Sequence, residues 1–178
     1  KKNIIITGAQ GQDGIILSKL LNVKNYKIIG LVRNSKQIKI KNVIYKKINL
    51  SNFQSVSKIV RNLDPYALIH FGSENPSYSE NKKLKKDFYI KNFKETKNLI
   101  DSFVELKKAK LILIGSSQMY KNSNTKIDLK TKFTESTPYT KFRINSFNYM
   151  IKQKRKFNSN MVMAILFNHD SVYRNKKF

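Results

Sequence analysis

The sequence predicts an α/β fold, a doubly wound parallel sheet with helices on both faces, and two observations predict it. Short apolar runs alternate with segments of helical periodicity along the whole chain. At the start, the apolar run 3–7 leads into Thr7-Gly8-Ala9-Gln10-Gly11-Gln12-Asp13-Gly14, which opens a segment with Ile15, Ile16, Leu20 and Leu21 at helical spacing. That is a strand, a glycine loop and a helix in order.

Taken along the chain, periodicity gives strand 3–7, helix 12–23, strand 27–32, a short strand 43–46, helix 53–63 and strand 67–71. Asp64-Pro65 stops the second helix before the fourth strand. A long helix from about 84 to 107 carries Phe93, Leu99, Ile100, Phe103 and Leu106; strand 111–115, helix 139–157 and strand 161–167 follow. The stretch from Lys121 to Pro138 is polar and aperiodic, a surface loop. At 178 residues, one domain spanning 1–178 is expected, a Rossmann-type unit.

Composition excludes several functions. With no cysteine, disulfides and thiolate metal sites are ruled out, no metal site is expected, and a reducing cytoplasm fits. The apolar runs 111–114 and 161–167 are too short to span a bilayer and no signal-peptide pattern opens the chain, so a soluble, cytoplasmic protein without a membrane partner is expected. A net charge of +25 invites a nucleic-acid reading. Lysine, isoleucine and asparagine are enriched together throughout, however, and the densest basic run, Lys82, Lys83, Lys85 and Lys86, reads as a solvated helix start. No specific nucleic-acid partner is expected. The positive field would still draw in anionic small molecules.

The glycine loop suits a dinucleotide. Gly8 turns the chain off the strand, Gly11 lets backbone amides approach a pyrophosphate, and Gly14 lets the helix pack against the strand. A tight structural turn is the alternative. Ligands of an open parallel sheet bind beyond the carboxyl ends of its strands, and small or polar residues stand at each such end: Arg33-Asn34-Ser35, Asn49-Leu50, Gly72-Ser73, Ser116-Ser117-Gln118 and Asn168-His169-Asp170. After the second strand an NAD site places an acidic residue for the ribose, whereas Arg33 offers a cation to a 2′-phosphate. NADP is therefore expected over NAD.

Candidate catalytic residues are Ser116, Tyr139 and Arg143. Tyr139 and Arg143 are four apart at a helix start and share a face. A guanidinium beside a phenol stabilises the phenolate as a base towards a sugar hydroxyl, and Ser116 can bond to the same oxygen. From spacing alone, a half-buried tyrosine with an unrelated arginine is the stronger reading.

These motifs resemble the extended short-chain dehydrogenase/reductases of nucleotide-sugar metabolism, within them the GDP-mannose 4,6-dehydratase branch. The Gly11-Gln12-Asp13-Gly14 core, Leu166-Phe167-Asn168-His169-Asp170-Ser171, Asn92 and Thr96 carry the likeness. The resemblance implies NADP contacts at Gly8, Gly11, Gln12, Asp13, Gly14, Arg33, Asn49, Leu50, Gly72, Ser73, Tyr139, Arg143, His169 and Arg174, and a nucleotide-diphosphate sugar as substrate, GDP-mannose favoured.

The departures shape the expected chemistry. The family's Tyr-x-x-x-Lys becomes Tyr139-Thr140-Lys141-Phe142-Arg143, and its Thr-Ser-Glu becomes Ser116-Ser117-Gln118. An amide at Gln118 cannot serve as the acid and base of elimination. Hydride transfer at C4 is expected with dehydration in question; the alternatives are a 4-epimerase or 4-keto reductase, or a catalytically impaired cofactor-binding relative. The segment 34–48 is shorter than the family loop that builds a tetramer, and the chain stops soon after the sixth strand, where members of the family continue into a substrate-binding region. The resemblance further implies a homodimer through helices 84–107 and 139–157, with Phe93, Phe103, Phe142 and Phe147 as candidate apolar contacts.

Overall fold

The computed structural model describes residues 1–33, 40–74, 76, 86–121 and 126–174. The elements are β1 Asn3–Thr7, α1 Gln12–Val23, β2 Lys27–Val32, β3 Val43–Lys47, α2 Phe53–Leu63, β4 Ala67–His70, α3 Lys86–Phe103, β5 Lys110–Ser116, a 3-10 turn Ser117–Met119, α4 Pro138–Phe157 and β6 Met161–Leu166. The strands form one parallel sheet in the order β3-β2-β1-β4-β5-β6. Strand order reverses between β1 and β4, which places the switch point beside Thr7 and His70, paired in the register. The doubly wound expectation holds.

Central strands of a parallel sheet are buried on both faces, so they are continuous apolar runs. Ile5, Ile29, Leu68, Leu111 and Leu113 point to one face, where α2, α3 and α4 cover them with Val56, Val60, Leu99, Phe103 and Met150. Ile4, Ile6, Ile28 and Ile69 point to the other, where α1 supplies Leu17 and Leu21. Over β4 to β6 that second face opens into an apolar groove of about 740 Å³ between Ile16 and Leu20 of α1 and Ile112 and Leu166 of the sheet.

Helix ends follow from capping chemistry. Asn52 accepts from the Ser55 amide at the start of α2, 2.9 Å. Thr137 and Thr140 form a reciprocal capping box at α4, with Pro138 in its first turn. This cap fixes the angle at which Tyr139 and Arg143 leave the backbone. The long helix was expected to run to 107, but α3 ends at Phe103; Leu106 keeps its apolar spacing because it packs on the core from a turn, its amide bonded to the Phe103 carbonyl. Lys82, Lys83 and Lys85 of the basic run, and Asn34 and Ser35, lie outside the described residues.

The expected polar loop is anchored rather than loose at its far end. Phe133 pairs with Tyr120 in an isolated antiparallel bridge and packs its ring on Tyr120 and Phe147, at 5.1 and 5.3 Å between centroids.

Candidate functional site at the switch point

Three glycines shape the loop between β1 and α1. Gly8 has φ +66°, and a Cβ there would stand 2.9 Å from the backbone nitrogen of Gly72 across the switch point. A Cβ on Gly14 would come within 2.3 Å of the Gly8 carbonyl oxygen. Gly11 differs: an added Cβ would meet only the Gly8 oxygen, at 3.3 Å, and otherwise open space. Gly11 is the N-cap of α1 and no side chain caps that helix. An open, uncapped helix start with a glycine facing space is a cradle for a phosphate, so these residues fit a dinucleotide.

Beneath the cradle lies a buried polar chain. His70 Nδ1 meets Thr7 Oγ1 at 2.6 Å and its Nε2 meets Thr96 Oγ1 at 3.1 Å, while the Gly72 amide donates to Thr7 Oγ1 at 3.0 Å. His70 is fully enclosed. Burial first, and the Arg143 charge second, push its pKa down from 6.5 to about 3, so the ring is neutral. One ring nitrogen therefore donates and the other accepts, which ties β1, β4 and α3 together under the ligand edge. His70 had no local signal beyond closing an apolar run. Next to it, Ser73 Oγ is buried and has no hydrogen-bond partner among the described residues.

Arg33, at the end of β2, forms an ion pair with Glu74 beyond β4, 3.3 Å from NH1 to Oε1. Lys91 of α3 bonds to the same carboxylate oxygen. Bonding to Lys91 and then to Arg33 holds the Glu74 carboxyl below its ordinary range. The sequence expectation of NADP takes Arg33 as an unengaged cation, and in the structure it is engaged. Asn49 is exposed and accepts from the Ser51 amide, while Leu50 turns its side chain into the core and gives its carbonyl to Asn98.

At the end of β5, Ser116 Oγ accepts from the Gln118 amide at 3.2 Å and so starts the 3-10 turn. Gln118 is exposed. Tyr139 and Arg143 share a face of α4 as their spacing requires, but both are buried. The guanidinium lies over ring faces, 5.2 Å from the Tyr139 centroid and 4.8 Å from that of Phe142, and NH1 donates to the Ile114 carbonyl at 2.6 Å. Arg143 Nε is buried and unpartnered among the described residues. Phe142 and Phe103 are fully buried within the subunit, so neither is available to a partner chain; Phe93 and Phe147 are partly exposed.

His169 closes the far side of the cradle. Its Nδ1 donates to the Phe167 carbonyl at 2.7 Å, and its Nε2 meets Asp13 of α1 at 2.8 Å. The carbonyl bond first, and Asp13 second, raise the imidazole pKa, because only the protonated ring satisfies both acceptors. Arg174 pairs with Asp170 at 3.2 Å. Among the described residues no His, Cys, Asp and Glu group could hold a metal ion, and no helix is long and apolar enough to cross a membrane.

Strand order and the helices on both faces together define a doubly wound fold of the Rossmann type. The chain belongs to the NAD dependent epimerase/dehydratase family, whose model matches residues 4–178. GDP-mannose 4,6 dehydratase of Cricetulus griseus is 23% identical over 203 residues, covering 100% of this chain and 53% of that protein. Among solved structures, DesIV, a dTDP-glucose 4,6-dehydratase from Streptomyces venezuelae with NAD and TYD bound, superposes with a TM-score of 0.86 at 13% identity over 99% of this chain and 59% of its own. The UDP-glucose 4-epimerase from Brucella ovis in complex with NAD gives 0.84 at 18% identity, over 94% and 52%. The chain thus spans about half the length of these relatives.

Proposed function

We propose that this chain acts in nucleotide-sugar metabolism, holding a nicotinamide dinucleotide at the switch point and using Tyr139 as the base that opens oxidation at C4 of the sugar. The observation that carries this reading is the fixed trio of Tyr139, Arg143 and the Ile114 carbonyl at the end of β5. The amides at the start of α1 would hold the pyrophosphate, and Arg33, Asn49, Leu50, Gly72, Ser73, Tyr139, Arg143, His169 and Arg174 the remainder of the cofactor. A nicotinamide held there would supply the hydride-transfer chemistry.

In this proposal the Tyr139 phenolate takes the proton from the C4 hydroxyl. Arg143 keeps positive charge against the phenol ring, and Ser116 positions the same sugar oxygen. The likeness to GDP-mannose 4,6 dehydratase favours GDP-mannose as substrate. Gln118 favours a second reading: its amide holds no titratable proton for loss of water, so return of the hydride, as in a 4-epimerase or 4-keto reductase, is the natural end of the cycle. We also propose a homodimer through α3 and α4, where Tyr89 stacks on the partly exposed Phe93 at 5.7 Å.

Mixing the protein with NAD or NADP and GDP-mannose tests this reading. Reduced nicotinamide should appear in at most a single turnover with little 4-keto-6-deoxy sugar, and Gln118→Glu should raise dehydration by about 10². Brisk dehydration by the unmodified chain overturns the role given to Gln118. No reduced nicotinamide with any nucleotide sugar leaves a cofactor-binding relative that lacks catalysis.

A further inference from the structure

The end of β2 carries no acidic residue, yet the structure brings a carboxylate to that place from another strand. Glu74 follows Gly72 and Ser73 beyond β4 and reaches Arg33, 41 residues away in the chain. Its position is built rather than incidental. The Glu74 amide donates to Asn92 Oδ1 at 3.0 Å, and Asn92, itself buried, is fixed by a 2.8 Å bond to the Phe88 carbonyl of α3.

From this arrangement we propose that Glu74 is the residue that selects between NAD and NADP, acting against Arg33. The inference rests on the reading of the switch point as a dinucleotide site. An unphosphorylated ribose offers hydroxyl donors, which a carboxylate accepts. A 2′-phosphate offers only negative charge, and to reach Arg33 it must displace a carboxylate and then remain beside it.

Two cations flank the one carboxylate, Arg33 and Lys91, both on Oε1. With Glu74 present the trio carries one net positive charge, and without it two. The low titration range of Glu74 keeps its charge in place at neutral pH. Arg33 and Glu74 are both substantially exposed, so the pair adds little to folding. Its effect falls on the choice of ligand, because a dianion and a hydroxyl respond to that carboxylate with opposite sign.

Calorimetric titration of NAD and NADP into the wild-type chain, Glu74→Gln, Arg33→Ala and the double variant tests the proposal, with melting curves to establish that each is folded. The wild type should bind NAD at least as tightly as NADP. Glu74→Gln should move the ratio of the two Kd values towards NADP by about tenfold or more, and Arg33→Ala should cost NADP more in the Glu74→Gln background than in the wild type. A ratio unchanged within about twofold in folded Glu74→Gln, or a wild type that prefers NADP by about tenfold, overturns the role of Glu74 while the dinucleotide site stands. Folded wild type that binds neither dinucleotide overturns both.

Discussion

Arg143 donates from its guanidinium to the carbonyl of Ile114 at 2.6 Å, joining the first turns of α4 to the end of β5. The bond places a permanent charge between the strand that carries Ser116 and the helix that carries Tyr139. Arg143 thus presents a planar fork with one nitrogen on a strand carbonyl and its face on two aromatic rings.

Removing that fork should be felt in stability. Arg143→Met leaves the Ile114 carbonyl without its charged donor, and a loss of about 1.5–3 kcal/mol is expected in chemical denaturation. Arg143→Lys should recover part of it, since an ammonium donates but neither forks nor stacks. Equal losses for the two variants would place the contribution in packing instead of the hydrogen bond.

Gly11 and Gly14 should separate binding from folding. At Gly11 an alanine methyl meets only one carbonyl oxygen, at 3.3 Å, so stability should change by less than about 1 kcal/mol while dinucleotide affinity collapses. At Gly14 the methyl would lie 2.3 Å from the Gly8 oxygen and 2.6 Å from the Ala9 Cα, both backbone, and a loss of about 1–3 kcal/mol or more is expected. Melting curves read beside cofactor titrations check both. Undiminished binding by Gly11→Ala contradicts the cradle.

His70 should make folding pH-dependent. Its folded pKa, about 3, lies below the unfolded 6.5, so the unfolded chain takes the proton first as pH falls. The stability it contributes is complete above 6.5 and lost progressively towards 3. Between those limits the slope contributed is about 1.4 kcal/mol per pH unit. His70→Gln keeps a donor and an acceptor but does not titrate, so its stability profile should lack this component, and the wild-type advantage should shrink as pH drops from 6 to 4. Parallel profiles would show that His70 takes its proton equally readily in the folded and unfolded chains, so that burial does not depress it.

Most of the fold was legible because its signals are local. The glycine loop lies on consecutive residues, and β1, β2 and β4 are apolar runs with no need of tertiary context. What escaped depends on approach across the sheet. Arg33 reads as a free cation until Glu74 arrives from a different strand, and His70 is a terminal strand residue until Thr7 and Thr96 close on it from 63 and 26 residues away. The resemblance puts Phe103 and Phe142 on partner-facing helices, yet Phe103 packs into the core beneath α3 and Phe142 is enclosed against Phe88 and Arg143, and only packing decides between the two.

The central claim is that the cofactor lies at the switch point and reaches the tyrosine. Backbone amide resonances followed during NAD and NADP titration test it most directly. The account predicts shifts at Gly8, Gly11 to Gly14, Gly72 and Ser73, extending to Ser116, Tyr139 and His169, with the opposite ends of the strands, at Lys27 of β2 and Lys110 of β5, unmoved. Shifts confined to Ile16, Leu20, Ile112 and Leu166 would put the ligand in the apolar groove and contradict it.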